Sequence, residues 1–172
     1  MGSSVPSIRT LRLNELTHES WSPFGTLPSD EQTPNDTSDL EFLQHDGHVN
    51  FIAHTNSELS FTARGGACCE LLNRHDTHTQ TLMPMTCDAY VVVAPRSLDF
   101  SRADHFNQVL AFRLPQYVAA HLHRGTWHWG PYPIGATMLR IFNVQGRGYA
   151  NDNTIAWLAR DHSITYEVLI HD

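Results

Sequence analysis

Apolar and polar positions change period along this chain. Between Leu11 and Trp21, the residues Leu13, Leu16 and Trp21 recur at a spacing close to one helical face. A short helix is predicted there, with Asn14 as its N-cap and Ser22-Pro23-Phe24-Gly25 as its end. Residues 26–40 are rich in Ser, Thr, Asp, Asn and Pro and predict a polar surface loop. From about Val49 the period becomes that of β structure. The predicted strands are Val49–His54, Ala67–Asn73, Gln80–Met83, Ala89–Ala94, Gln108–Phe112, Tyr117–His123, Thr137–Val144 and Ile164–Ile170. In the last of these, Ile164, Tyr166, Val168 and Ile170 share one face. Tyr90–Ala94 is continuously apolar, as in a strand covered on both sides, and Pro95 stops it. Ile155–Arg160 reads as a brief helical turn. No repeat or linker divides the chain. Many short strands and little helix predict a mainly β jelly-roll or double-stranded β-helix barrel. Its expected extent is one domain over residues 1–172, with residues 1–25 as an N-terminal helix and arm.

Composition narrows the function classes. The chain has 172 residues, 41% hydrophobic and 17% charged, which is the make-up of an ordinary globule. No apolar run approaches the roughly 20 residues needed to cross a bilayer. The first residues lack a basic segment followed by an apolar one, so a cytoplasmic location is expected. All 11 basic residues are arginine, which excludes lysine Schiff-base chemistry. The formal net charge of −7 argues against nucleic acid and anionic membrane as partners. Arginines in a cleft would suit a small carboxylate-bearing substrate. Cys68, Cys69 and Cys87 form no CxxC pair and read as reduced core thiols.

Chemistry concentrates in two segments, LNRHDTHTQTLMPM (residues 72–85) and HLHRGTWHWGPYPI (residues 121–134). Residues two apart on a strand face the same way, so Asn73 and His75 share a face, and the next strand returns Gln80 to the same cavity. Together they offer O, N and O ligands, an uncharged set for a borderline divalent ion. His78, in the intervening turn, is a further candidate ligand. Arg74 alternates away from His75, toward an outer face or the substrate. His121 and His123 also share a face. His123 is expected as the principal ligand or acid–base group, with His121 beside it and Arg124 next. Trp127, Trp129, Pro131 and Tyr132 would wall the cavity mouth, and His128 would steady a loop or touch substrate. The catalytic candidates are thus His123, His121 and His128. The substrate-binding candidates are Arg124, Trp127, Arg74 and Tyr132, and the metal candidates are His75, Gln80, His123, Asn73 and His78. His18, His45, His48 and His171 read as loop or surface residues.

The first segment is similar to the first motif of the cupins, which are small metal-binding barrels. His75 takes the place of that motif's second histidine, Asn73 of its first and Gln80 of its carboxylate. Cys87 stands where its turn glycine falls. More specifically, the chain resembles the ureidoglycolate lyase family. Arg74, His75, Thr79, Gln80, Pro84 and Met85, followed by Val91–Val93, match one family motif. His123, Arg124, Trp127 and His128 match another, and Leu16–Gly25 is similar to the family's opening segment. The resemblance implies cleavage of (S)-ureidoglycolate to glyoxylate and urea, a step of allantoin and purine breakdown. It also implies a homodimer and a divalent metal such as Ni, Mn or Zn, with no nucleotide or flavin. Under it, His75, Gln80 and His123 would hold metal or substrate oxygens, His121 or His128 would carry the proton, and Arg124 would meet the substrate carboxylate. Asn73, His78, Cys87 and Trp129 depart from the family pattern. Two alternatives therefore stay open: a divergent cupin lyase, isomerase or hydrolase acting on another small hydroxy- or keto-acid, and a non-catalytic ligand-binding barrel.

Overall fold

The structure is a computed structural model and describes residues 6–29, 41–44 and 46–170. The predicted loop over residues 26–40 falls largely outside the described residues, as do His45 and His171.

The first residues form a strand ahead of the expected helix. Ser7–Asn14 is a strand, β1, in which Arg9, Leu11 and Leu13 are half-buried while their neighbours are exposed. That alternation has the period of a strand, and the chain supplies parallel partners on either side of it. The helix that does form, α1 (His18–Trp21), is a single turn. Its N-cap is Thr17 rather than Asn14. The Thr17 hydroxyl accepts from the Ser20 N–H, and the Ser20 hydroxyl accepts from the Thr17 N–H, a reciprocal capping box.

The rest is β structure: β2 (Gly25–Thr26), β3 (Gly47–Thr55), β4 (Ala67–Cys69), β5 (Leu72–Arg74), β6 (Gln80–Pro84), β7 (Ala89–Ala94), β8 (Leu110–Leu114), β9 (Ala120–Leu122), β10 (Trp127–Pro133), β11 (Met138–Gly146), β12 (Thr154–Ala156) and β13 (Ile164–Leu169), with the helix α2 (Leu158–His162) before the last. Eight strands form one sheet in the order β12-β5-β10-β7-β8-β1-β13-β4, and five form another in the order β2-β9-β6-β11-β3. The two sheets enclose a cavity between them, the barrel-like arrangement expected of a mainly β chain. No helix among the described residues is long and apolar enough to cross a membrane.

Several differences from the predicted elements have plain causes. The predicted strand Ala67–Asn73 is two strands, because the chain leaves one edge of the larger sheet at β4 and re-enters near the opposite edge at β5. Gln116 and Tyr117 form a turn before β9, closed by the Val118 N–H donating to the Pro115 carbonyl. Ile155 and Ala156 belong to β12, and helix begins only at Leu158. The segment expected to wall the cavity mouth is the strand β10.

Two apolar clusters flank the larger sheet. One joins Tyr90, Val92 and Trp127 to Cys69, Tyr166 and Val168. The other joins Val91, Val93, Phe112, Leu82 and Ile141 to Trp21 and Phe24. β7 is buried on both faces, as its continuous apolar run predicted, and each large side chain so buried contributes about 1.5–3 kcal/mol. Cys68, Cys69 and Cys87 are free thiols, and burial pushes the Cys69 thiol well up.

Candidate active site

Strand register decides which polar side chains enter the barrel. β3 and β11 pair His48 with Gln145, Asn50 with Asn143 and Ile52 with Ile141. Val49 and Phe51, between them, are exposed on the outer face. The inner face of β3 therefore carries His48, Asn50, Ile52 and His54, of which His48 was expected at the surface. From the opposite sheet, Asn73 on β5 pairs with His128 on β10. Between the sheets lies a cavity of about 550 Å³ whose lining includes His54, Asn73, His75, Gln80, His128 and Tyr132. A register slip after Trp129 brings Tyr132 there. Gly130 makes the slip at φ 94°, where an added Cβ would lie 3.2 Å from the Tyr90 carbonyl oxygen.

The histidines of this region share one tautomer. A carbonyl oxygen only accepts, so a ring nitrogen facing one must carry the proton. His54 Nδ1 donates to the Pro131 carbonyl at 2.7 Å, and His128 Nδ1 donates to the Thr126 carbonyl at 3.1 Å. His75 Nδ1 donates to the Asp152 carbonyl. His78 Nδ1 lies 3.0 Å from an Asp152 carboxylate oxygen, which likewise only accepts. Every Nε2 is left as a lone pair. That of His128 takes a hydrogen bond from Asn73 Nδ2 at 3.1 Å, and that of His78 is buried without a partner. The His75 and His78 rings stack, with centroids 4.7 Å apart and an interplanar angle of 18°.

Asp152 orders this pair from a turn just ahead of β12. Its carboxylate also accepts from the Asp76 N–H (2.8 Å), the Thr77 N–H (2.9 Å) and the Thr77 hydroxyl (2.6 Å). Burial opposes ionisation of Asp152, but these donors and His78 more than offset it and hold the carboxyl below its usual range. His78 is pushed below the usual imidazole range by burial, then by neighbouring His75, against the opposing pull of Asp152. His128, buried at the cavity wall, is pushed down to about 3, chiefly by burial. Both imidazoles are therefore neutral at pH 7. Nothing in the sequence pointed to Asp152, which lies 77 residues from His75 in the chain. His54, by contrast, could have been found from the alternation within the predicted strand Val49–His54.

Three amides continue the polar wall. Gln80 Nε2 donates to Asn143 Oδ1 at 2.9 Å, and Asn143 Nδ2 donates to Asn50 Oδ1 at 2.7 Å. Gln80 Oε1 is buried and has no partner.

The second motif is placed differently from expectation. His121 pairs with Thr81 and Leu122 with Gln80. Since Gln80 faces inward, Leu122 does too, and His121 and His123 face outward. His121 is satisfied on both nitrogens: Nε2–H donates to the Glu41 carbonyl at 2.6 Å, and Nδ1 accepts from the Thr81 hydroxyl at 2.8 Å. His123 is half-buried beside Glu41 and Arg96, and burial lowers its pKa. Arg124 Nε donates to Glu41 at 2.7 Å. Arg74 stacks over Trp127, its guanidinium carbon 4.5 Å from the ring centroid, and pairs with Asp76 at 3.0 Å. Arg74, Arg96 and Arg124 thus gather around an outer depression rather than the cavity. Trp127 packs in the core and donates its indole N–H to the Leu98 carbonyl. Of the four residues expected to meet substrate, Tyr132 alone lines the cavity.

The expected metal set is rearranged as well. His75, His78 and Asp152 place one ligating atom each within 4.8 Å of one another and could hold a metal ion. The partnerless, buried Nε2 of His78 and the single carboxylate give that cluster the donor chemistry of a borderline divalent ion. Asn73 and Gln80 line the cavity with their amide nitrogens bonded elsewhere and their oxygens left as acceptors, but lie outside that cluster, and His123 is on the outside of the barrel.

Comparison with curated proteins yields no match. Among solved structures, the chain is similar to a dTDP sugar isomerase from Desulfovibrio desulfuricans G20. The identity is 14%, coverage is 77% of this chain and 82% of that one, and the TM-score is 0.42. A family model described as ureidoglycolate lyase matches residues 8–165. That match spans both histidine segments, the cavity they border and the turn that carries Asp152, so the chain belongs to the ureidoglycolate lyase family.

Proposed function

We propose that the chain is a C–N lyase that cleaves (S)-ureidoglycolate to glyoxylate and urea, within purine-derived allantoin breakdown. Membership of the family supports the reaction. The observation that carries the mechanism is His75, which lines the cavity with its Nδ1–H tied to the Asp152 carbonyl and its Nε2 available as a base.

The reaction needs one proton moved over a short path. The C–N bond breaks as the hydroxyl of the same carbon becomes a carbonyl. The hydroxyl loses its proton, and the departing ureido nitrogen gains one. His75 Nε2 takes the first proton, and the imidazolium so formed returns it to the nitrogen, so no net proton is consumed. The Asp152 carbonyl fixes the ring during both transfers. His128 is too weak a base to compete and instead holds Asn73 in place. No described lining residue is a lysine or arginine, so the substrate carboxylate would be met by neutral donors such as Tyr132 and Asn153. His75, His78 and Asp152 would hold a divalent ion of the Ni, Mn or Zn class, and His75 would then be a ligand rather than the base. When bound, such an ion would act as a Lewis acid on substrate oxygen.

The test is a turnover assay on racemic ureidoglycolate with urea and glyoxylate followed together, in metal-stripped and resupplied protein. Equimolar products from half the racemate, at a rate well above that of His75→Ala, are expected. A rate equal to the spontaneous one in every metal condition would sink the reading.

A further inference from the structure

Gln80 Oε1 is a buried acceptor without a hydrogen-bond partner, on a residue that lines the cavity. Its orientation is set from behind. Gln80 Nε2 is committed to Asn143, and Asn143 to Asn50, on directly paired positions of β11 and β3. Asn143 is fully buried, so the relay runs along two rigid strands in a setting where aligned amide dipoles reinforce one another. Two neighbours present the same polarity. Asn73 has spent its N–H on His128 and keeps Oδ1, while His75 has spent its Nδ1–H on Asp152 and keeps Nε2.

This wall therefore offers acceptors, and none of the described residues lining the cavity is a lysine or arginine. A carboxylate brought against Gln80 Oε1, Asn73 Oδ1 and His75 Nε2 would meet lone pairs. A planar group rich in N–H would satisfy it, and a buried acceptor left unmet is costly.

We propose that Gln80 Oε1, held by the Asn143–Asn50 relay, accepts the N–H groups of the ureido moiety. The substrate then binds with its ureido end against this wall and its carboxylate away from it. The assignment rests on ureidoglycolate as the substrate, but its test needs no turnover.

Two stable ligands separate the contributions. N-carbamoylglycine keeps the ureido group and the carboxylate but has no hydroxyl to react. N-acetylglycine replaces the terminal NH₂ with a methyl group. Dissociation constants are measured by titration calorimetry or ligand-observed NMR. Wild-type protein is expected to prefer N-carbamoylglycine by about tenfold or more, since a site built to bond an N–H rejects the analogue lacking it. Gln80→Met, of similar length but without the oxygen, brings the ratio to about one and leaves N-acetylglycine binding within about twofold, because only the directed bond is lost. Asn50→Ala, at the half-buried end of the relay, narrows the ratio several-fold, and it stands in if Gln80→Met does not fold. Equal affinity of wild type for the two ligands, or a ratio preserved in the variants, overturns the assignment. A wild type that shows the preference but releases no urea upholds ureido recognition and overturns the reaction proposed above. Turnover without the preference overturns this assignment alone.

Discussion

The carboxylate of Asp152 accepts the Nδ1–H of His78 at 3.0 Å, while the backbone carbonyl of the same aspartate accepts the Nδ1–H of His75. One residue thereby fixes the tautomer of both stacked rings. Outer partners of this kind are typically worth about 10–100-fold in activity or metal affinity. Asp152→Ala also strips the acceptor from the N–H groups of Asp76 and Thr77. Its kcat/KM is expected to fall about 100-fold, with a lowered melting temperature. Steady-state kinetics with a thermal melt check this, and wild-type kinetics in the variant would remove the Asp152 carboxylate from the site, since the carbonyl that holds His75 survives the substitution.

The two histidine segments should respond differently to truncation. His75→Ala removes the base that lines the cavity, and kcat/KM should drop by about 10²–10⁴-fold. His121→Ala and His123→Ala act on the outer surface, where His121 links Thr81 to the Glu41 carbonyl. They should cost about 1–2 kcal/mol of stability and change kcat by less than roughly tenfold. Denaturant melts and turnover on the same preparations separate the two effects. Loss of turnover in a fully folded His123→Ala protein would restore that residue to the active site.

His128 sets a pH dependence of stability. Its folded-state pKa, about 3, lies below the ordinary imidazole value of 6.5. The unfolded chain therefore binds a proton that the folded chain refuses between those values, so stability rises with pH across this window. As pH falls from about 6.5 toward 3, the group withdraws up to about 1.4 kcal/mol per pH unit. His78, also lowered, acts in the same direction. Urea midpoints at pH 7 and pH 4.5 should differ less in His128→Gln than in wild type. Equal pH slopes in the two proteins would contradict the buried neutral state of His128.

Metal loading gives a fourth outcome. Stripped protein is expected to take up one divalent transition ion, and His78→Ala should weaken that uptake by about tenfold or more, since the ion loses an imidazole ligand. Titration calorimetry with Ni and Zn reads this directly. Undiminished binding by His78→Ala would place the ion elsewhere.

Much of this architecture was legible in local pattern. Ala89–Ala94 and Ile164–Leu169 follow from apolar periodicity, and His75 and Gln80 from their spacing across a tight connection. Alternation is also present in Ser7–Asn14, ahead of the helix expected from Asn14. The outward placement of His121 and His123 was not legible. A strand's period shows that two residues share a face but not which face is inner, and the pairing of Leu122 with Gln80 settles that.

The sequence by itself determined the β class, the buried central strand and the two segments that bring histidine and glutamine to one barrel. These depend on side chains a few residues apart, whose geometry the backbone period dictates. Tertiary structure alone decided that Asp152 orders His75 and His78, that Asn50 and Asn143 orient Gln80, and that Arg74 and Arg124 lie outside the cavity. Each of those facts depends on register between strands or on a turn distant in sequence. No local spacing encodes such contacts, because they exist only once the sheets have paired and closed.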